Sequence, residues 1–199
     1  SRYEILAASG YLVPGPGTVE LVRDFCAQGG RVALLTNSLA STDVPAVHAG
    51  YAKRRRELLE AGAELHEYQK FASTEPRQEI PSSGASLHSK TMVFDRQRAW
   101  IGSFNLDPRS VELNTEVAVL LDSSSFAAEL ARRLEHDMAP KRSWQVRLVR
   151  EPGSSRTYLE WHGVREGERV TVDHEPDASL WQRAAVQFFR LIPGLDGLL

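Results

Sequence analysis

Three short apolar segments separated by two helical ones, each boundary marked by Gly or Pro, open this chain and leave it few folds to choose from. Tyr3-Glu-Ile-Leu-Ala-Ala8 reads as a strand. Pro14-Gly-Pro-Gly17 breaks it, and Thr18 to Gln28 reads as a helix with Thr18 as its cap. Gly29-Gly30 ends that helix before the strand Arg31-Val-Ala-Leu-Leu-Thr36. A helix from about Pro45 to Ala61 is stopped by Gly62, and Ala63-Glu-Leu-His-Glu-Tyr68 is the third strand. This β-α-β-α-β order predicts an α/β fold, a mostly parallel or mixed sheet flanked by helices on both faces. At 199 residues, one such domain has a core large enough to fold alone.

The rest of the chain continues the alternation less regularly. Gln69 to Leu87, rich in Ser, Pro and Glu, reads as a loop. Thr91–Phe94 and Arg98–Ile101 read as two strands joined by a tight turn at Asp95-Arg-Gln. Val117-Ala-Val-Leu-Leu121 is an apolar run suited to a strand buried on both faces. Ser123-Ser-Ser125 caps a helix through Met138, and Trp144 to Val172 forms a β-rich excursion broken by Pro152-Gly153 and Gly163. A final helix runs from Ser179 to about Leu191. Its apolar stripe (Trp181, Ala184, Ala185, Phe188, Phe189, Ile192) suits packing on the protein's own sheet, with an interfacial helix on lipid as the second reading. Lys53 to Arg56 reads as a solvated helix face that could meet lipid phosphates. Cys26, alone in the chain, reads as a buried thiol and excludes an intramolecular disulfide. No run of eighteen or more apolar residues is present, so no segment is expected to span a bilayer.

Between the third strand and that last helix lies the chemistry. His88-Ser-Lys90-Thr-Met-Val-Phe-Asp95 is followed by Gly102-Ser103-Phe104-Asn105, giving H-x-K-x4-D-x6-G-S-x-N once in the chain. Alternation along a strand puts His88 and Lys90 on one side, and Ser103 and Asn105 share a parity on the next strand. Asp95 has the opposite parity and is expected to brace the hairpin. A neutral imidazole can attack phosphorus if its other nitrogen gives its proton to an acceptor, a role that Glu116 would fill for His88. Lys90 supplies fixed positive charge for phosphoryl oxygens, with Ser103 and Asn105 as neutral donors. This set requires no metal or other cofactor, and the scattered His residues offer no metal-ligand spacing. A histidine bonded to phosphorus cannot also protonate the leaving alcohol, so a second acid is required. None of the other five His has the Lys and Gly-Ser context.

The segment His88 to Asn105 resembles the HKD motif of the phospholipase D superfamily. The longer stretch Ser82 to Asp95, continued through Gly102–Ser110 and Asn114-Thr-Glu116, resembles one branch, the bacterial cardiolipin synthase C group. Thr36-Asn-Ser38, Asp43 to Tyr51 and the tail from Trp181 look like the same branch. The resemblance implies that His88 is one of two catalytic histidines, that Lys90, Ser103 and Asn105 hold phosphate, that Glu116 orients His88, and that Asp95 is the Asp of the motif's name. Such proteins carry two HKD copies, so this chain is expected to be a single second half-domain over residues 1–199, with the upstream half absent. Asn37 and Ser38, just past a parallel strand, are candidates for the pocket rim. His48 has two readings, an ordinary helix-start residue or a rim residue.

The leading functional expectation is half of a phosphatidyl transferase that makes cardiolipin from phospholipids through a phosphohistidine. Its partners would be phospholipid substrates and the upstream half, or a second copy of the chain, with peripheral contact at the cytoplasmic face of a bacterial inner membrane. A phosphodiesterase or nuclease completed by homodimerisation is the alternative, and a non-catalytic half stands behind it. The formal net charge of −2 argues against nucleic acid as a partner.

Overall fold

The computed structural model describes residues 1–70 and 86–192. Most of the loop expected over Gln69–Leu87 lies outside the described residues. β1 (Glu4–Ser9), β2 (Arg31–Asn37) and β3 (Glu64–Tyr68) run parallel, connected by α1 (Pro16–Ala27) and α2 (Pro45–Glu60). β4 (Lys90–Phe94), β5 (Arg98–Gly102) and β6 (Ala118–Asp122) add antiparallel on the β1 side. On the β3 side follow β7 (Ser143–Arg150), β8 (Thr157–Arg165) and β9 (Glu168–Val172), also antiparallel. The described residues thus form one mixed sheet in the order β6-β5-β4-β1-β2-β3-β7-β8-β9. The expected β-rich excursion is a continuation of this sheet, because β7 pairs directly with β3.

Burial explains the layers. β1 and β2 are nearly all apolar because both their faces are covered. Leu6, Ala8, Ala33 and Leu35 pack under α4 (Ser124–Met138) through Ala127, Ala131 and Leu134. The alternate residues Ala7, Val32 and Leu34 pack with Val19 and Val22 of α1 and Leu58 of α2 on the other face. α5 (Leu180–Arg190) lies outside α2, with Val186 and Phe189 against Ala49 and Ala52. Its start carries a capping box between Ser179 and Gln182. Helix α1 begins at Pro16 rather than at the expected cap Thr18. Gly15 is its N-cap without a side-chain hydrogen bond, and Pro16 needs no N–H partner in the first turn.

Two expectations fail here for physical reasons. β6 is an edge strand exposed on both faces, with Val119 and Leu120 more than half exposed, because no described element covers it. Arg55, placed by sequence on a solvated face, is 2 % exposed. Its Nε lies 3.0 Å from Glu67 Oε1 and one guanidinium nitrogen donates to Glu175 at 2.9 Å. Tyr51 and Trp161 each donate to Glu67, at 3.0 and 2.8 Å, and the guanidinium carbon lies over both rings, 4.8 and 5.0 Å from their centroids. A buried charge with this many partners is tolerated; with any one removed it is not.

Candidate active site

The two ends of the sheet are built differently. At the amino end of β1, Arg31 binds Glu4 and Glu64 at 2.9 and 2.7 Å, and Arg96 binds Glu4 at 2.8 Å. Asp95 belongs to this end. Its carboxylate accepts the backbone N–H groups of Arg2, Tyr3 and Glu4 at 2.7–2.8 Å. Burial would push the Asp95 carboxyl upward, but these donors hold it well below the usual carboxylate range. Asp95 and Arg96 also hold positive φ of 53° and 54°, the conformation of a tight hairpin turn. From Lys90 to Asp95 the strand covers about 16 Å. Asp95 therefore secures β1 against the hairpin and lies away from His88.

At the opposite end, Ser9 of β1 pairs with Lys90 of β4, and Gly10 N–H donates to the Ser89 carbonyl at 3.1 Å. His88 is exposed directly before β4, and Lys90 Nζ donates to its Nε2 at 3.4 Å. Lysine has no acceptor, so in this contact the imidazole nitrogen is the acceptor. Burial is the leading influence on Lys90 and lowers its pKa, opposed by the nearby charges of Glu116 and Asp107.

The second strand of the site delivers Ser103, which donates its hydroxyl to Glu116 Oε2; Asn114 donates to Glu116 Oε1 at 3.2 Å. The Ser103 hydrogen bond, followed by those of Asn114 and Ser110 and the charge of Lys90, holds the Glu116 carboxyl below its ordinary range. Glu116 thus sits beside Ser103 and Lys90, and among the described residues its hydrogen bonds do not include one to His88. Asn105 is half-buried, and its Oδ1 is buried without a partner. It lines a cavity of about 280 Å³ with Tyr11, Val44, Val47, Arg109 and Asn114. Ser103 and Asn105 are held in place because Leu106 N–H donates to Ser9 Oγ at 3.1 Å and Val13 N–H to the Leu106 carbonyl at 2.6 Å.

Asn37 and Ser38, expected at the rim, are buried at 3 % and 1 %. Asn37 works one layer deeper. Its amide donates to the carbonyls of Gly10 and Leu87 at 3.0 and 2.9 Å and accepts from Leu87 N–H at 2.8 Å. It clamps the residue immediately before His88. His48 is buried too, accepting from Arg55 at 3.1 Å within the charged cluster. Sequence reasoning missed Tyr11, Arg109 and Asn114 as cavity residues. The rule that ligands sit past the carboxyl ends of parallel strands would have flagged Tyr11, two residues beyond β1. Among the described residues no group of three or more His, Cys, Asp or Glu is placed to hold a metal ion.

Residues 1–138 match the family model described as cardiolipin synthase, PLD-like domain. The chain belongs to the phospholipase D-like family. Within it, the chain is 36 % identical over 192 residues to cardiolipin synthase C of Escherichia coli K12, covering 93 % of this chain and 39 % of that protein. Cardiolipin synthase B of the same strain is 26 % identical over 155 residues, covering 72 % and 34 %. The chain thus spans about two fifths of the length of the first of these relatives. Nuc of Salmonella typhimurium, a phospholipase D family member, shares the fold with a TM-score of 0.51 at 15 % identity, over 68 % of this chain and 78 % of that one. NucT from Helicobacter pylori gives 0.51 at 12 % identity, over 68 % and 79 %. This phospholipase D-like chain is therefore an α/β domain, and the family model ends at Met138, before β7.

Proposed function

We propose that this phospholipase D-like chain contributes one half of a phosphatidyl-transfer site that works through a phosphohistidine and makes cardiolipin. The observation that carries the reading is the exposed His88 with Lys90 Nζ at 3.4 Å from Nε2, and Glu116, bonded by Ser103, close enough for its charge to act on Lys90. In the first step His88 Nε2 attacks the phosphorus of a phospholipid, and the phosphorus–oxygen bond to the headgroup alcohol breaks. Lys90 and Asn105 hold the phosphoryl oxygens as their charge grows. The departing alcohol takes a proton from an acid on a second half. In the second step an alcohol of another phospholipid gives its proton to that same group and attacks phosphorus, and the nitrogen–phosphorus bond breaks. Glu116 balances the positive charge of Lys90 and of the imidazolium-like adduct, directly or after Ser103 turns toward substrate.

The open side of the site supports a second half. β6 borders the site through Ser103 and Glu116 and presents Val117 and Val119 to solvent, an apolar edge of the kind that proteins otherwise cover. The upstream half of a longer polypeptide or a second copy of the chain would meet this need, at the surface of a membrane. Among the described residues no helix is long and apolar enough to cross one. The nuclease reading gains no support from charge, which is −2 overall.

Light scattering on a sizing column, with each peak assayed for phosphodiester cleavage and for transfer between phospholipids, tests the proposal. The chain alone is expected to be inactive as a monomer and to gain transfer activity on addition of the upstream half, with His88→Ala silent throughout. An active dimer that only hydrolyses would replace transfer by a two-fold phosphodiesterase. Activity in the His88→Ala protein would remove His88 from the mechanism.

A further inference from the structure

Helix α5 carries two apolar stripes, and among the described residues only one of them is packed. Val186 is buried and Phe189 packs with it against α2. The other stripe faces water: Leu180 is 81 % exposed, Trp181 86 %, Phe188 64 % and Leu191 80 %. With Ala184, the series 181, 184, 188, 191 follows the 3-4 spacing of one helix face. The stripe read from sequence as packing on the sheet is thus divided: Phe189 packs on α2, while Trp181 and Phe188 are exposed.

Beside the exposed stripe lies a groove of about 570 Å³ between α5, α2 and β8. Lys53, Arg56, Arg183 and Arg190 line it. Of the two carboxylates lining it, Glu175 is engaged by Arg55 at 2.9 Å and Asp173 by His174 at 2.9 Å. At 3.6 residues per turn, Arg183 and Arg190 form the row next to the stripe, with Gln187 between. A chain of net charge −2 thus gathers cations from α2 and α5 beside one apolar helix face.

We propose that the outer face of α5 docks on an anionic phospholipid bilayer. Trp181, Phe188 and Leu191 enter the headgroup–acyl boundary, and the basic groove receives lipid phosphates. Apolar burial supplies the sequence-independent part and the cations select anionic lipid. Gln182 Nε2 donates to the Leu39 carbonyl at 3.3 Å, two residues beyond β2, so α5 starts at the same end of the sheet as His88. This surface is separate from the catalytic reading and does not depend on it.

Flotation of the full chain with phosphatidylcholine vesicles, with and without phosphatidylglycerol, is the test. Binding is expected only to the vesicles with phosphatidylglycerol and to weaken with salt. Trp181→Glu/Phe188→Glu and, separately, Arg183→Gln/Arg190→Glu should each reduce it by roughly tenfold or more. His88→Ala should float like the unsubstituted chain, which keeps failure of the catalytic reading apart from failure of this one. The Trp181 and Phe188 side chains are exposed, so circular dichroism and Tm should not change. Undiminished flotation in both variants would overturn the proposal. So would a dimer in vesicle-free solution that the Trp181→Glu/Phe188→Glu variant dissociates, since the stripe would then belong to a second copy.

Discussion

His88 and Lys90 read from sequence as neighbours because they stand two positions apart at the entry to β4, a local relation that burial does not change. Asn37 was misplaced because an Asn past a strand end has the same local signature whether it meets ligand or backbone. Only the return of Leu87, fifty positions later, makes it a clamp. Asn37→Ala leaves the Leu87 N–H and carbonyl without their partner. It should cost about 2–3 kcal/mol in urea unfolding and lower turnover of the completed site more than Ser38→Ala does. Asp95 offers a test of opposite character. Its folded-state pKa is depressed, so its stabilisation is full above the ordinary carboxylate range and is lost as pH falls through the folded value. Asp95→Asn should therefore lower Tm at neutral pH and flatten the acid side of the stability profile, without altering how the site binds phosphate.

At the scale of elements, the parallel core was legible because β1 and β2 carry apolar runs through their middles and each connection is a helix of ordinary length. β6 has the same composition but a different fate, since its partner surface is not among the described residues and composition alone does not say who covers a strand. Gly10, at the turn out of β1, shows how one element is fitted to the site. A Cβ there would lie 2.6 Å from the Leu87 carbonyl oxygen, a backbone atom with nowhere easy to go. Gly10→Ala should displace the segment entering β4 and lower kcat of the completed enzyme while the sheet stays folded, as judged by circular dichroism. Equal kcat would show that the segment can yield without moving His88.

For the molecule as a whole, the buried Arg55 cluster was hidden in a run of four cations whose local pattern is that of a surface. Its partners come from three places far apart in the sequence: Glu67 in β3, Trp161 in β8 and Glu175 before α5. Breaking such a cluster by removing one partner costs about 3–5 kcal/mol. Glu67→Ala is expected to approach that loss in denaturant melts, whereas replacing Arg55 and Glu67 together by Met and Leu should recover part of it. These distances have a consequence for biosynthesis. Glu67 leaves the ribosome ninety-four residues ahead of the indole that will hold it. Until β7 arrives, β3 is an open sheet edge and Arg55 and Glu67 stay hydrated. The portion matched by the family model is thus complete before the strand that closes the β3 edge and the indole that caps Glu67 have been translated, and closure of this side of the sheet is expected to follow them.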